Sequence, residues 1–395
     1  MYPELQYVAV LVGLFVVPTI LQRFRLPTAV TSLLLGIGAG AAGWLREDPT
    51  LELLSVFGIV ALFLFAGLEI DGGDLRRGFW VLLILLALQA GVLAAVAFGA
   101  RRALDLPFQS ALLLALALLT PSCGFILDSL PAFGFSEKAR FWVRSKAIAS
   151  EVLALGALFV TLQSDSLLRV AGGTLVLVAL IIVVPLLFRL FARGIAPYAP
   201  RTEFAFLLLL AVLCAQVTRR LGVYYLVGAF LVGVAAQGFR SSLPSVSSGK
   251  VLHALEAFGS IFIPFYFFHA GMGISLEAFS PRALLTGGAF LLFLLPLRLA
   301  LVALHQRVAL RQSLDQGLKV GAALLPTLVF SLVLAEILRD RFAIPAPLFG
   351  GIILYALANT LVPGFLFQVP LPRYDAPELV EAPAAEETAA PPSPP

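Results

Sequence analysis

The sequence predicts an all-α integral membrane protein of about thirteen transmembrane helices, and three observations carry this. Of the 395 residues, 60% are hydrophobic and only 13% are charged, where a soluble domain sits nearer half and a quarter. The apolar residues fall in runs of 15 to 22 separated by short charged loops, the pattern of spanning helices and not of barrel strands. Two of those runs are interrupted by proline at matching places in the two halves, at Pro121 and Pro326.

Taken in order, the predicted spans are 5–22, 28–45, 52–68, 79–99, 108–127, 142–162, 169–191, 204–218, 221–237, 252–272, 283–304, 316–337 and 347–367. The first run lacks a basic leader and a small-residue cleavage site, so it reads as a span and not as a removed signal. Arg23 and Arg25 close it, Arg46 closes the second, Arg76 and Arg77 separate the third from the fourth, and Arg101 and Arg102 end the fourth. Lys138 and Arg140 precede span six, and Lys146 and Arg144, one and two turns before Glu151 near the cytoplasmic mouth, read as positive-inside anchors. Basic residues punctuate the later spans in the same way. Counted by alternate loops, 17 Lys and Arg fall on the side shared with the C-terminus and 9 on the other. The excess places the N-terminus outside and the C-terminus in the cytoplasm of a cell (inner) membrane. Residues 373–395, rich in Pro, Ala and Glu without periodicity, predict a disordered acidic tail.

Several classes fall away. The net charge of +4 comes from loop arginines beside a lipid bilayer, so no nucleic-acid partner is implied. Cys123 and Cys214 both lie inside apolar runs, which leaves no disulfide framework and no CxxC site. No cofactor is expected. Ser122 and Ser150 have no histidine partner in a neighbouring helix half and no Gly-x-Ser-x-Gly context, so an enzyme is not expected.

The two halves echo one another. Leu26 to Gly40 resembles the stretch from Leu221 at an offset of 195, and Ala66-Gly67 aligns with Ala270-Gly271 at an offset of 204. Thr120-Pro121 has its counterpart in Pro326-Thr327. Partners lie seven spans apart, an odd number, so the second copy is inverted: repeat one about 5–162, a linker helix about 169–191, repeat two about 204–367. Inverted repeats with an interrupted helix in each point to a transport site at the bilayer midplane.

A proline inside a membrane helix frees carbonyls where nothing apolar can satisfy them. Either break alone could be a kink. A symmetric pair favours a cavity in which freed carbonyls and the hydroxyls of Thr120, Ser122 and Thr327 offer oxygen ligands to a small cation. Glu151 falls about ten residues into span six, preceded by Ser150. A charge at that depth costs on the order of 2.5 to 3.5 kcal/mol, which marks it as functional, and a carboxylate can hold either a proton or a metal ion. Arg298 lies alone in the middle of span eleven and is the expected charge partner of Glu151. Asp128 reads as a capping or loop-facing carboxylate, His269 as a packed histidine, and Asn359 and Thr360 as polar contacts between helices.

The stretches RFRLPTAVTSLLLGIGAG, GIVALFLFAGLEID, TRRLGVYYLVGAFLVGVAAQG and FGSIFIPFYFFHAGMGISL together resemble the membrane domain of the monovalent cation–proton antiporter-2 family, which includes Kef-like potassium efflux systems and bacterial sodium–proton exchangers. The likeness covers about residues 6 to 368. It implies the inverted-repeat sodium/proton antiporter fold with two crossed, broken helices. A core bundle (spans 4–6 and 11–13) would move against a dimerising bundle (spans 1–3 and 8–10), with span seven linking them in a homodimer. It further implies that the Thr120-Pro121-Ser122 break crosses the Pro326-Thr327 break, that the carboxylate on the next helix binds the ion, and that the deep basic residue of the second half is Arg298. The family places Asp, Asn or Gln before an aspartate; this chain has Ser150-Glu151.

The expected function is exchange of Na⁺ or K⁺ for H⁺ by alternating access. One carboxylate implies electroneutral, one-for-one exchange. The rivals are a non-transporting or channel-like membrane subunit with the same fold, and an organic-anion symporter driven by Na⁺.

Overall fold

A computed structural model describes residues 3–43, 48–70, 72–164, 166–199, 202–221, 225–238 and 249–367. The expected tail lies outside the described residues, as does the Asp128 side chain. The chain forms α1 (Pro3–Leu21), α2 (Thr28–Ala41), α3 (Pro49–Leu68), α4 (Gly72–Arg77), α5 (Phe79–Leu104), α6 (Phe108–Leu119), α7 (Cys123–Ser129) and α8 (Glu137–Gln163). It continues through α9 (Leu167–Gly194), α10 (Glu203–Arg220), α11 (Tyr225–Gly238), α12 (Gly249–Met272), α13 (Pro281–Leu310), α14 (Leu314–Ala323), α15 (Leu328–Phe342) and α16 (Ala346–Leu366). Among the described residues there is no strand. Eight helices are long and apolar enough to cross a membrane, or nine if the bent pair α14 and α15 counts as one span. Helices α2 and α11 are apolar but shorter. The chain is an integral membrane, all-α protein.

Helix ends follow local chemistry. Ser136, Ser166, Ser280 and Ser313 each accept a backbone N–H from the first turn of α8, α9, α13 and α14, the usual service of an N-cap hydroxyl. Pro49 and Pro281 stand in first turns, where the missing N–H has no partner to lose.

Two groups of helices emerge from the packing. In one, α2 lies along α12 and α11 along α3, with α10 against α11 and α1 against α2. Water offers no driving force for helix association inside lipid, so close contact depends on small residues. Gly67 of α3 and Gly233 of α11 meet: a Cβ on Gly67 would stand 2.3 Å from the Phe230 carbonyl, and one on Gly233 would stand 2.3 Å from the Leu64 carbonyl. Gly36 of α2 and Gly271 of α12 meet in the same manner, at 2.0 Å from the Phe268 carbonyl and 2.3 Å from the Leu33 carbonyl. We call this group the scaffold. The other group, the core, packs α13 on α16 and α14, α5 on α6 and α8, and α15 on α6 and α16. Helix α9 touches both α11 and α8, joining the two.

An open cleft of about 780 Å³ separates scaffold from core on one face. Leu62, Phe65 and Phe267 wall it on the scaffold side, and Gly124, Phe133 and Val329 on the core side. On the opposite face the groups touch: Gln163, ending α8, donates to the Leu221 carbonyl at 2.5 Å, and Arg339, near the end of α15, donates to the Gly273 carbonyl at 2.8 Å.

Candidate functional site

Both proline-bearing helices are broken. Helix α6 ends at Leu119, the chain runs extended through Thr120 and Ser122, and α7 begins at Cys123. Helix α14 ends at Ala323, and α15 starts at Leu328 with a 53° change of direction. The breaks touch: Ser122 donates its N–H to the Pro326 carbonyl at 2.8 Å, and Ser122 Oγ accepts the Val329 N–H at 3.1 Å. Each break thereby supplies a partner that the other lost.

A helix end leaves carbonyls without intrahelical donors, and in the bilayer interior these must be met by protein. For α6, Thr120 N–H meets Leu116 at 3.1 Å and Tyr355 Oη meets Leu118 at 2.9 Å. Ser331 Oγ meets Ala117 at 2.7 Å. Ser331 Oγ is also 2.8 Å from Thr327 Oγ1, which accepts from Asn359 Nδ2 at 3.0 Å. For α14, the donor is charged. Arg298 directs one nitrogen to Leu324 and the other to Leu325, both at 2.7 Å, and reaches Tyr355 Oη at 3.3 Å. The expected ion pair between Arg298 and Glu151 is not formed. The freed carbonyls of α14 engage the guanidinium instead, where a cation also favours the negative end of the helix dipole.

Glu151 lies on α8, only 3% exposed. Helix α8 packs against α7, whose first residue, Cys123, neighbours the carboxylate. Oε2 has no hydrogen-bond partner. An unmatched oxygen on a buried carboxylate is costly unless a proton or a cation takes it up. Gly124 and Phe125, which follow Cys123, line the cleft.

The predicted oxygen donors do not converge on one point in this conformation. Ser122 and Thr327 are engaged at the crossing. Thr120, Pro121 and Ser150 line a separate small cavity together with Arg298 and Gln89. Ser150 Oγ there lies 2.8 Å from Gln89 Nε2 and 2.7 Å from the Lys146 carbonyl.

Lys146 corrects the sequence reading more sharply. It is no surface anchor: it is fully buried, and its Nζ donates to Gln306 Oε1 at 2.5 Å. Helix α8 begins at Glu137, so Lys146 is already nine residues inside it and turned toward α13. Arg144 is not a plain anchor either, since it pairs with Glu69 at 3.7 Å and bridges core to scaffold at the cleft. Sequence reasoning missed Gln89, Tyr355 and Ser331. Gln89 was detectable as an amide in the middle of an apolar run; the two hydroxyl residues carried no signal before the breaks were paired in space. Among the described residues no group of three or more His, Cys, Asp or Glu assembles for a metal.

Comparison with known proteins accords with this architecture. The family model for the transmembrane region of sodium/hydrogen exchangers matches residues 10–372. A probable Na(+)/H(+) antiporter of Methanocaldococcus jannaschii is 27% identical over 89% of this chain and 92% of its own length. A Na(+)/H(+) antiporter of Enterococcus hirae is 23% identical over 86% and 91%. In fold, the chain is similar to the sodium proton antiporter MjNhaP1 of Methanocaldococcus jannaschii, with a TM-score of 0.64 at 17% identity over 93% of this chain and 95% of that one. With a model spanning nearly its whole length, crossed broken helices and a buried carboxylate beside them, the chain belongs to the sodium/hydrogen exchanger family.

Proposed function

We propose that this protein exchanges a monovalent cation, Na⁺ or K⁺, for H⁺ at Glu151 by alternating access. The observation that carries the reading is the unpartnered Oε2 of the buried Glu151, on a helix packed against α7, whose Gly124 and Phe125 line the cleft. A cation that enters the cleft displaces the proton from the carboxylate. Core then moves against scaffold, the contacts Gln163–Leu221 and Arg339–Gly273 part, and the site meets the other side. Thr120, Ser122, Ser150 and Thr327 become ion ligands as the cage rearranges around the loaded carboxylate. Thirteen spans in two inverted repeats supply this motion. The reciprocal packing of α2 on α12 and α11 on α3 supports that symmetry. With the N-terminus outside, as the loop charges favour, the cleft opens to the cytoplasm. The unit works in the cell (inner) membrane as a homodimer.

Exchange at one carboxylate is electroneutral, one H⁺ for one cation. The engagement of Arg298 on the Leu324 and Leu325 carbonyls supports cation exchange over anion symport, because symport needs a basic group turned to the solute. The test is reconstitution into proteoliposomes with a pH probe inside and a membrane-potential readout. Addition of Na⁺ or K⁺ should move the pH gradient without generating a potential, and Glu151→Gln should abolish the response. Wild-type and Glu151→Gln traces that coincide would end the proposal.

A further inference from the structure

Helix α3 ends in the cleft. Ala66 of its last turn lines the scaffold wall, and so does Glu69, which caps its C-terminus. A helix C-terminus carries partial negative charge, so the carboxylate adds to a pole of its own sign. Arg144 of α8 meets it from the core, with Nε 3.7 Å from Glu69 Oε2. Arg144 and Glu151 are seven residues apart on that helix. Two turns put them on one face, about 10 Å apart along the axis.

The pair is a weak tether. Its separation exceeds a hydrogen bond, Arg144 Nε has no hydrogen-bond partner, and the two side chains are 43% and 45% exposed. Such a contact adds little to stability. Its charges act instead through their field, because a cleft with low-dielectric walls focuses the charge that lines it. The other charged lining residues are Arg25 and Glu256, and Glu256 is paired with His253 at 3.0 Å. Arg140, one turn before Arg144, is paired with Glu137 at 3.2 Å. Glu69 and Arg144 therefore oppose each other on the side of α8 that carries the exchange carboxylate.

We propose that Glu69 and Arg144 set the concentration of cations in the cleft, Glu69 drawing them in and Arg144 holding them back, and that their balance fixes the apparent cation affinity of Glu151. The affinity half rests on Glu151 as the exchange site; the field in the cleft does not. A unit charge about 10 Å from an ion changes its affinity by about tenfold at an effective dielectric constant of about 20. Mobile ions in the open cleft screen part of this, so each charge is worth about three- to tenfold.

The test uses the full-length protein with Glu69→Gln, Arg144→Gln and the double substitution, and two readouts. Ser260 lines the same cleft, so in a Ser260→Cys background the rate of labelling by a cationic methanethiosulfonate, divided by the rate with an anionic one, reports the local potential. That ratio should fall about three- to tenfold in Glu69→Gln, rise in Arg144→Gln and return towards the parent value in the double variant. In proteoliposomes the Na⁺ or K⁺ concentration for half-maximal exchange, each protein normalised to its own maximal rate, should move the opposite way: up, down and back. A mere tether is broken equally by either single substitution, so single variants that shift together, or an unchanged labelling ratio, would overturn the proposal. Labelling that follows the charges beside an unchanged affinity in an active protein would overturn its affinity half. If labelling follows the charges but no protein, wild type included, exchanges cations, the field in the cleft stands and the exchange reading falls.

Discussion

The N–H of Ser122 donates to the carbonyl of Pro326 at 2.8 Å, so each broken helix is fastened to the other at the point where both lose their own ladder. The same residue also receives the Val329 N–H on its Oγ. Two interruptions that would each be unfavourable alone become one polar joint sealed inside the core.

Ser122→Ala removes the acceptor of the Val329 N–H and leaves that donor buried without a partner. Such an orphan costs about 1–3 kcal/mol. Thermal unfolding in detergent should therefore shift downward for Ser122→Ala, while Ser122→Thr, which keeps the hydroxyl, should recover part of the loss. An unchanged midpoint in Ser122→Ala would show that the joint does not depend on this hydroxyl.

Arg298 holds two carbonyls at 2.7 Å each, and its planar fork does what a single ammonium does less well. Arg298→Met strands both carbonyls, with a loss on the order of 2–4 kcal/mol from two unmet acceptors. Arg298→Lys should lie between Met and wild type. Stability series of the three proteins check the order. A Met variant as stable as wild type would mean that water or another donor reaches Leu324 and Leu325.

In the proposed exchange, a proton and a cation compete for the Glu151 carboxylate. Linkage gives the sign: lower pH loads the proton and raises the cation concentration needed for half-maximal exchange. Where the carboxyl is mostly protonated, that concentration should rise by about tenfold per pH unit, the limit for one proton against one ion. Glu151→Asp shortens the side chain by one methylene and should weaken cation affinity while keeping the pH slope. A flat dependence on pH in an active wild type would separate proton uptake from this residue.

Much of this was legible in the sequence, for identifiable reasons. Long apolar runs mark membrane helices because lipid tolerates little else, and eight described helices, or nine with the bent pair as one span, are long and apolar enough to cross. Pro121 and Pro326 marked the breaks because proline cannot continue the ladder. Glu151 was singled out by depth alone, and it is buried on α8. The failures share one cause, which is that sequence gives depth but not direction. Lys146 sits near enough to a charged loop to read as an anchor, yet its helix turns it into α13. Arg298 was assigned the nearest opposite charge, when uncapped carbonyls were the stronger demand. Gln89, Ser331 and Tyr355 act on groups distant in sequence, and no local pattern announces them.

The closed face offers the last test. Arg339 donates to the Gly273 carbonyl at 2.8 Å, tying the end of α15 in the core to the end of α12 in the scaffold. A hydrogen bond from a charged donor contributes about 1.5 kcal/mol or more. If that bond exists only while the cleft is open on the other face, its removal shifts the ratio of the two states by roughly tenfold toward the opposite orientation. Ser260 lines the open cleft from the scaffold side, so a cysteine placed there reports how often the cleft is open. Alkylation of Ser260→Cys by a membrane-impermeant reagent applied to the cleft side should slow several-fold when Arg339→Ala is added. Addition of Arg339→Lys, which retains a donor, should slow it less. Equal rates in all three proteins would mean that the bond between α15 and α12 persists through the transport cycle and does not favour one orientation.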